Sequence, residues 1–247
     1  MKKRIRINNR VSKKKNNFII ENYKASWSYL KESKKFIYWI IGLFFFFTLF
    51  GYFIQPPQVL YDKIIEYLKQ LISQTEGMSQ KELIWFIFSN NLNSSFFGLI
   101  LGFFFGIFPV MAAIANGYML GFVGRMSVAT GGISSLWRVL PHGVFELPAI
   151  FMALGLGLKL GASFFTLIID FFKYYSRKNR LIMIIFGVLL FPLTILISYI
   201  FDYKLRLFNK WKFSQVLINS LRIFLFIIIP LLIIAGIIEG SLIFLLK

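Results

Sequence analysis

The chain has 247 residues, 57% of them hydrophobic and 31 of them Phe, with a mean hydropathy of +0.71 and a formal net charge of +18. Hydrophobicity on this scale excludes an ordinary soluble domain. The absence of cysteine excludes disulfide frameworks, iron–sulfur ligation and thiol catalysis, and a single histidine excludes the usual zinc sets, so no metal or other cofactor is expected.

Apolar runs recur at 36–54, 96–115, 144–169, 181–201 and 216–238. Each is near the roughly 20 residues that carry a helix across the hydrocarbon core of a bilayer. A barrel would show alternation in shorter segments, whereas these runs are continuous. The expected fold is therefore all-α, a polytopic transmembrane bundle of about five crossings. Residues 1–35 form a basic cytoplasmic segment, and 36–247 form a single transmembrane domain.

Residues 1–35 carry twelve Lys or Arg against Glu21 and Glu32, immediately before the first crossing. That placement follows the positive-inside bias and predicts a multi-pass cell-membrane protein with a cytoplasmic amino terminus. Lipid head groups supply the nearest counter-charge, and no nucleic-acid partner is expected, because no aromatic-rich recognition module accompanies the basic run. The run 36–54 is too long for a removable signal peptide and lacks its small-residue cleavage site, so it reads as a retained helix. Ahead of it, apolar residues at 19, 23, 27 and 30 follow helical spacing and predict an interfacial helix.

The "QPP" after Ile54 stops the first crossing, since proline lacks an amide hydrogen and restricts its predecessor. Residues 55–90 have a nearly balanced charge, as an external segment should. Within them Leu60, Ile64, Leu68, Leu71 and Ile72 predict an amphipathic helix that must pack on the membrane, the chain or a partner. "SNNLNSS" then reads as a polar cap for the second crossing. Gly98, Gly102 and Gly106 make one ridge of small residues, and Ala149, Ala153, Gly157 and Gly161 make another. Small residues at this spacing permit close van der Waals approach in lipid, so the two ridges are expected to cross. They could serve contacts within one chain or between two, which leaves a homo-oligomer open.

Between the ridges, 116–138 holds five glycines and Arg125, which predicts a broken or re-entrant region near 116–143. Five crossings place "KYYSRKNR" (173–180) outside and "DYKLRLFNKWK" (202–212) inside, and a sixth through 116–138 reverses both.

Glu146 and Glu239 are the carboxylates embedded in hydrophobic sequence, with Asp170 at a helix end. An ionisable group within a membrane segment is a functional candidate, because it must pair, protonate or face water. His142 lies four residues before Glu146, so a continuous helix puts both on one face. Pro148 argues instead for a helix that begins near it, leaving "PHGVFE" as a loop. Three readings follow: a His–Glu catalytic pair, a proton- or ion-linked translocation site using His142, Glu146 and Glu239, or polar ties that fix broken backbone. No nucleophile motif, second histidine or phosphate loop supports catalysis, so an enzyme is not expected.

In order, "FSNNL" (88–92), "NGYMLG" (116–121), "LPHGVFELPAIFMALGLGLKLG" (140–161) and "LLIIAGIIEG" (231–240) resemble the stage II sporulation protein M family of integral membrane proteins. The resemblance covers most of the chain after Phe36. It departs at the end, where "SLIFLLK" replaces the "TP" that often follows the last glutamate. It implies that Asn116, Gly117, His142, Gly143, Glu146, Pro148 and Glu239 are family motif positions. It also implies a non-catalytic membrane partner of peptidoglycan-degrading proteins, as in spore formers, although relatives occur in organisms that never sporulate. The expected function is a non-enzymatic scaffold for membrane or cell-envelope proteins. A transporter or permease-like protein is the alternative, weakened by the lack of paired repeats.

Overall fold

The computed structural model describes residues 18–134, 140–176 and 213–245, with side chains described for 146–168 within the second block. The apolar run 181–201 and the basic loop 202–212 lie outside the described residues. All described elements are helical: α1 (18–32), α2 (Lys34–Phe53), α3 (Gln58–Thr75), α4 (Gln80–Ile100), α5 (Ile107–Gly131), α6 (Leu140–Ser176), α7 (Phe213–Ile223) and α8 (Ile229–Leu245). Among the described residues, five helical stretches are long and apolar enough to cross a membrane: Lys34–Phe53, Gln80–Phe103, Ile107–Gly131, Glu146–Ile168 and Phe213–Leu245.

The all-α class and the number of long apolar helices are as expected, but the helices are not the five apolar runs. The run 96–115 is split by a tight turn. A 3₁₀ turn at Leu101–Phe103 extends α4, and Phe105 (φ 55°) and Gly106 (φ 74°) then reverse the chain into α5. Nothing polar marks this turn because its own backbone satisfies it. Phe104 N–H donates to Leu101 O (3.0 Å), Gly106 N–H to Gly102 O (2.8 Å) and Ile107 N–H to Phe104 O (3.1 Å). A turn so satisfied can be built from Phe, Leu and Gly.

The expected cap "SNNLNSS" is consequently interior to α4. The helix starts instead at Ser79, whose side chain accepts from Glu82 N–H while the Glu82 carboxylate accepts from Ser79 N–H (2.8 Å), a reciprocal capping box. The external segment expected at 55–90 divides the same way: α3 is its amphipathic helix, and residues from Gln80 onward belong to a membrane-length helix.

Apart from Gly132, the region expected to be broken near 116–143 is helical where it is described. Helix α5 runs through all of 116–131 and stops at Gly132 (φ 72°), and α6 already includes residues 140–143. Arg125 does not break α5, because its guanidinium lies near the helix end and donates to Phe53 O at the carboxyl terminus of α2 (3.4 Å). A cation there meets the unsatisfied carbonyls and the negative end of the helix dipole. Pro148 lies inside α6, so neither a break nor a helix start occurs at it. A second proline, Pro230, follows a π-helical turn at Phe224–Ile228 that joins α7 to α8. The widened turn accommodates the missing N–H and the ring's demand on the preceding turn.

Backbone contacts set the register of the bundle. In α4 and α6, a Cβ added at Gly102 would collide with the carbonyl of Gly157, and one at Gly161 with the amide nitrogen of Gly106, so these helices run parallel along their small-residue ridges. Ala149 and Ala153, higher on the same ridge, are fully buried. A second seam joins α2 to α5, also parallel. Gly117 and Gly121 abut the carbonyls of Phe44 and Thr48, and Gly51 abuts that of Tyr118. Helix α2 runs antiparallel to α6, with Ile37 against Gly155 and the Phe44 and Phe151 rings 5.0 Å apart. The last helix runs antiparallel to α4, bringing Gly240 to Ile84 and Gly236 to Phe88. At the end where α2 begins, Phe103, Phe164 and Phe213 stack to join α4, α6 and α7.

Candidate functional site: a carboxyl clasp

Glu146 enters the bundle from α6, Glu239 from α8 and Asn91 from α4. Each is placed by a seam of small residues. Glu239 lies between Gly236 and Gly240, which let α8 approach α4 until a Cβ on Gly240 would be 2.6 Å from Ile84 Cγ1. Ala149, one turn after Glu146, is fully buried and brings α6 into the same layer. Asn91, 8% exposed, projects into the space so defined.

The carboxyl of Glu146 is hydrogen-bonded to Glu239 and to Asn91. An ionised carboxylate only accepts hydrogen bonds, so two carboxyls bond one another only with a proton between them. The Asn91 amide donates to the same group. Three helices separated widely in sequence thus meet at one polar cluster.

Next to the clasp lie Leu99, Ala149, Ala153, Leu156, Ile227 and Ile228, part of one apolar cluster contributed by α4, α6 and the π-helical turn before α8. Beyond it, thirteen residues along α6 from Glu146 and so about 20 Å away, stands Lys159. It is 1% exposed, donates from Nζ to Ser33 Oγ (2.8 Å) and sits 3.7 Å from the centroid of the Tyr29 ring. Glu32 supplies a favourable charge. A buried cation thus finds a hydroxyl, a ring face and a nearby carboxylate.

The residues expected to act together are divided. Glu146 and Glu239 meet. Asn116 lies exposed on α5 and donates to Ala112 O of its own helix (2.8 Å), while Gly117 belongs to the α2–α5 seam. Pro148 is exposed on α6. His142 and Gly143 are in the first turns of α6, and their side chains lie outside the described residues, as does that of Asp170.

Two members escape a reading of the sequence. Asn91 sits in "SNNLNSS", which looks like a cap although α4 begins at Gln80. Lys159 is a single lysine in "LGLGLKLGA", and its presence within a membrane-length apolar run is the signal that could have found it.

Residues 40–242 match the family described as stage II sporulation protein M. No curated protein and no solved structure gives a significant match.

Proposed function

Because the chain belongs to the stage II sporulation protein M family, and is a membrane protein of that kind, we propose that it is a non-enzymatic, multi-pass scaffold that positions other membrane or cell-envelope proteins. The observation that carries this reading is the clasp. The two embedded acid groups face each other and Asn91 beside a packed apolar layer, which supports a role in fastening helices.

In this reading the amino terminus is cytoplasmic, as its basic residues favour, and α3 lies on the external side with the clasp end of the bundle. Helix α3 is free to contact partners over much of its surface. Ile64 is buried and Tyr61 packs on the Phe122 ring, but Val59, Tyr67 and Ile72 remain exposed.

Crosslinking in native membranes followed by purification in mild detergent tests the proposal, with recovery of a specific membrane or envelope protein expected. A chain recovered alone under several crosslinking chemistries contradicts it. The transport alternative has its own test in proteoliposomes. Glu146→Gln that leaves the folded protein intact yet abolishes a measurable ion or solute flux would replace the scaffold reading with a translocation site.

A further inference from the structure

Helix α1 turns into α2 at Ser33, just before a membrane-length helix. Its 100° advance per residue divides it into distinct faces. One face carries Ser26 and Ser33, both buried, with Tyr29 and Leu30 packed against the bundle core. The adjoining arc presents Ile20, Tyr23 and Trp27, which are 51%, 52% and 49% exposed. Next to this apolar strip come Lys24 and Lys31, both exposed, and the cationic edge continues into Lys34 and Lys35 at the first turn of α2. Glu21 and Glu32 fall on the remaining arc, away from the strip.

Lys159 reaches the end of this helix from α6. Its Nζ donates to Ser33 Oγ (2.8 Å), and Ser33 Oγ donates back to Tyr29 O (2.8 Å), so the turn between α1 and α2 is tied to α6. A rim of lysines beside an apolar strip, held at the end of a membrane-length helix, has the arrangement of a surface seated at the boundary between head groups and acyl chains. Neutral lipid would satisfy the strip but leave the lysines without a counter-charge.

We propose that α1 is a rigidly mounted docking surface for anionic phospholipid head groups, with Ile20, Tyr23 and Trp27 entering the acyl boundary, Lys24 and Lys31 binding the phosphates, and Lys159 acting as the positioning residue. The inference does not depend on the scaffold reading.

Hydrogen exchange of residues 18–32 in the full chain tests it, comparing nanodiscs of phosphatidylcholine with nanodiscs that also contain phosphatidylglycerol. Exchange is expected to slow in the anionic discs, and added salt should reduce the difference. Lys24→Gln with Lys31→Gln, both at exposed positions, should diminish the gain by about fivefold per lysine. Lys159→Met, with retained thermal unfolding as a control, should raise exchange of α1 in both kinds of disc. Equal protection in neutral and anionic discs overturns the proposal. So does protection that appears only with two chains per disc, which would identify a second copy as the occupant. An unaltered gain in the double lysine variant overturns it as well.

Discussion

The two ends of the bundle each bury ionisable groups, and they neutralise them differently. At one end Glu146 and Glu239 meet across α6 and α8, with Asn91 completing the cluster. At the other, Lys159 is held by the Ser33 hydroxyl and the Tyr29 ring, with Glu32 near. Acid groups meet by sharing a proton, which brings helices together without a counter-ion. A lysine cannot do this, since its ammonium only donates, so it needs acceptors and a π face built around it. The first arrangement fastens three membrane-length helices to one another, and the second fastens a short helix to the bundle. Between them the small-residue seams do the remaining work, because dispersion at close approach is the main attraction that lipid leaves available.

Substitutions can break this division of labour, and the seams should be the most sensitive. Gly161→Leu would drive a side chain into the backbone of Gly106 and Phe105. Overpacking against backbone should cost about 3 kcal/mol or more and abolish a cooperative thermal transition in detergent. The mild alternative, a small shift in melting temperature, would show that α4 and α6 part easily.

The clasp should come next. Glu239→Ala removes one partner of a part-buried hydrogen-bonded pair and is expected to lower stability by about 2 kcal/mol in a denaturant titration. Glu239→Gln should cost no more than about 1 kcal/mol, because an amide can stand in for the protonated carboxyl. If Gln is as harmful as Ala, the shared proton is not what joins the helices.

Lys159→Met sharpens the contrast between the ends. An apolar side chain of similar length removes a buried charge and fills most of its volume, so the bundle should lose about 1 kcal/mol or less while α1 loosens. Global unfolding and local proteolysis between residues 18 and 33 separate the two effects, and a large global loss would make Lys159 a core fastener like the acid pair.

The smallest effect is expected at the capping box of α4, which belongs to neither device. Ser79→Ala should cost about 1 kcal/mol and fray only the first turn, readable by exchange of the Glu82 and Leu83 amides.

Much of the architecture follows from local sequence. Helical class, the stop at "QPP", the amphipathic α3 and the small-residue ridges are set by hydropathy, proline chemistry and residue spacing, which act within a few turns. The reversal at Phe104–Gly106 could not be read the same way. Hydropathy registers apolar side chains and not whether a turn satisfies its own backbone, so a hairpin of Phe, Leu and Gly looks like continuous helix. The same blindness makes "SNNLNSS" look like a cap, while the glycines and Arg125 of 116–138 suggest a break that α5 does not have, because Gly117 and Gly121 pack against α2 and Arg125 reaches Phe53 O. Nor does any local rule bring Asn91, Glu146 and Glu239 together, since their meeting depends on the registers of three helix pairs. Sequence alone determined which residues are costly to bury in a membrane. Tertiary structure decided how that cost is met, because partners for a buried polar group come from whichever helices the close-packed seams bring within reach.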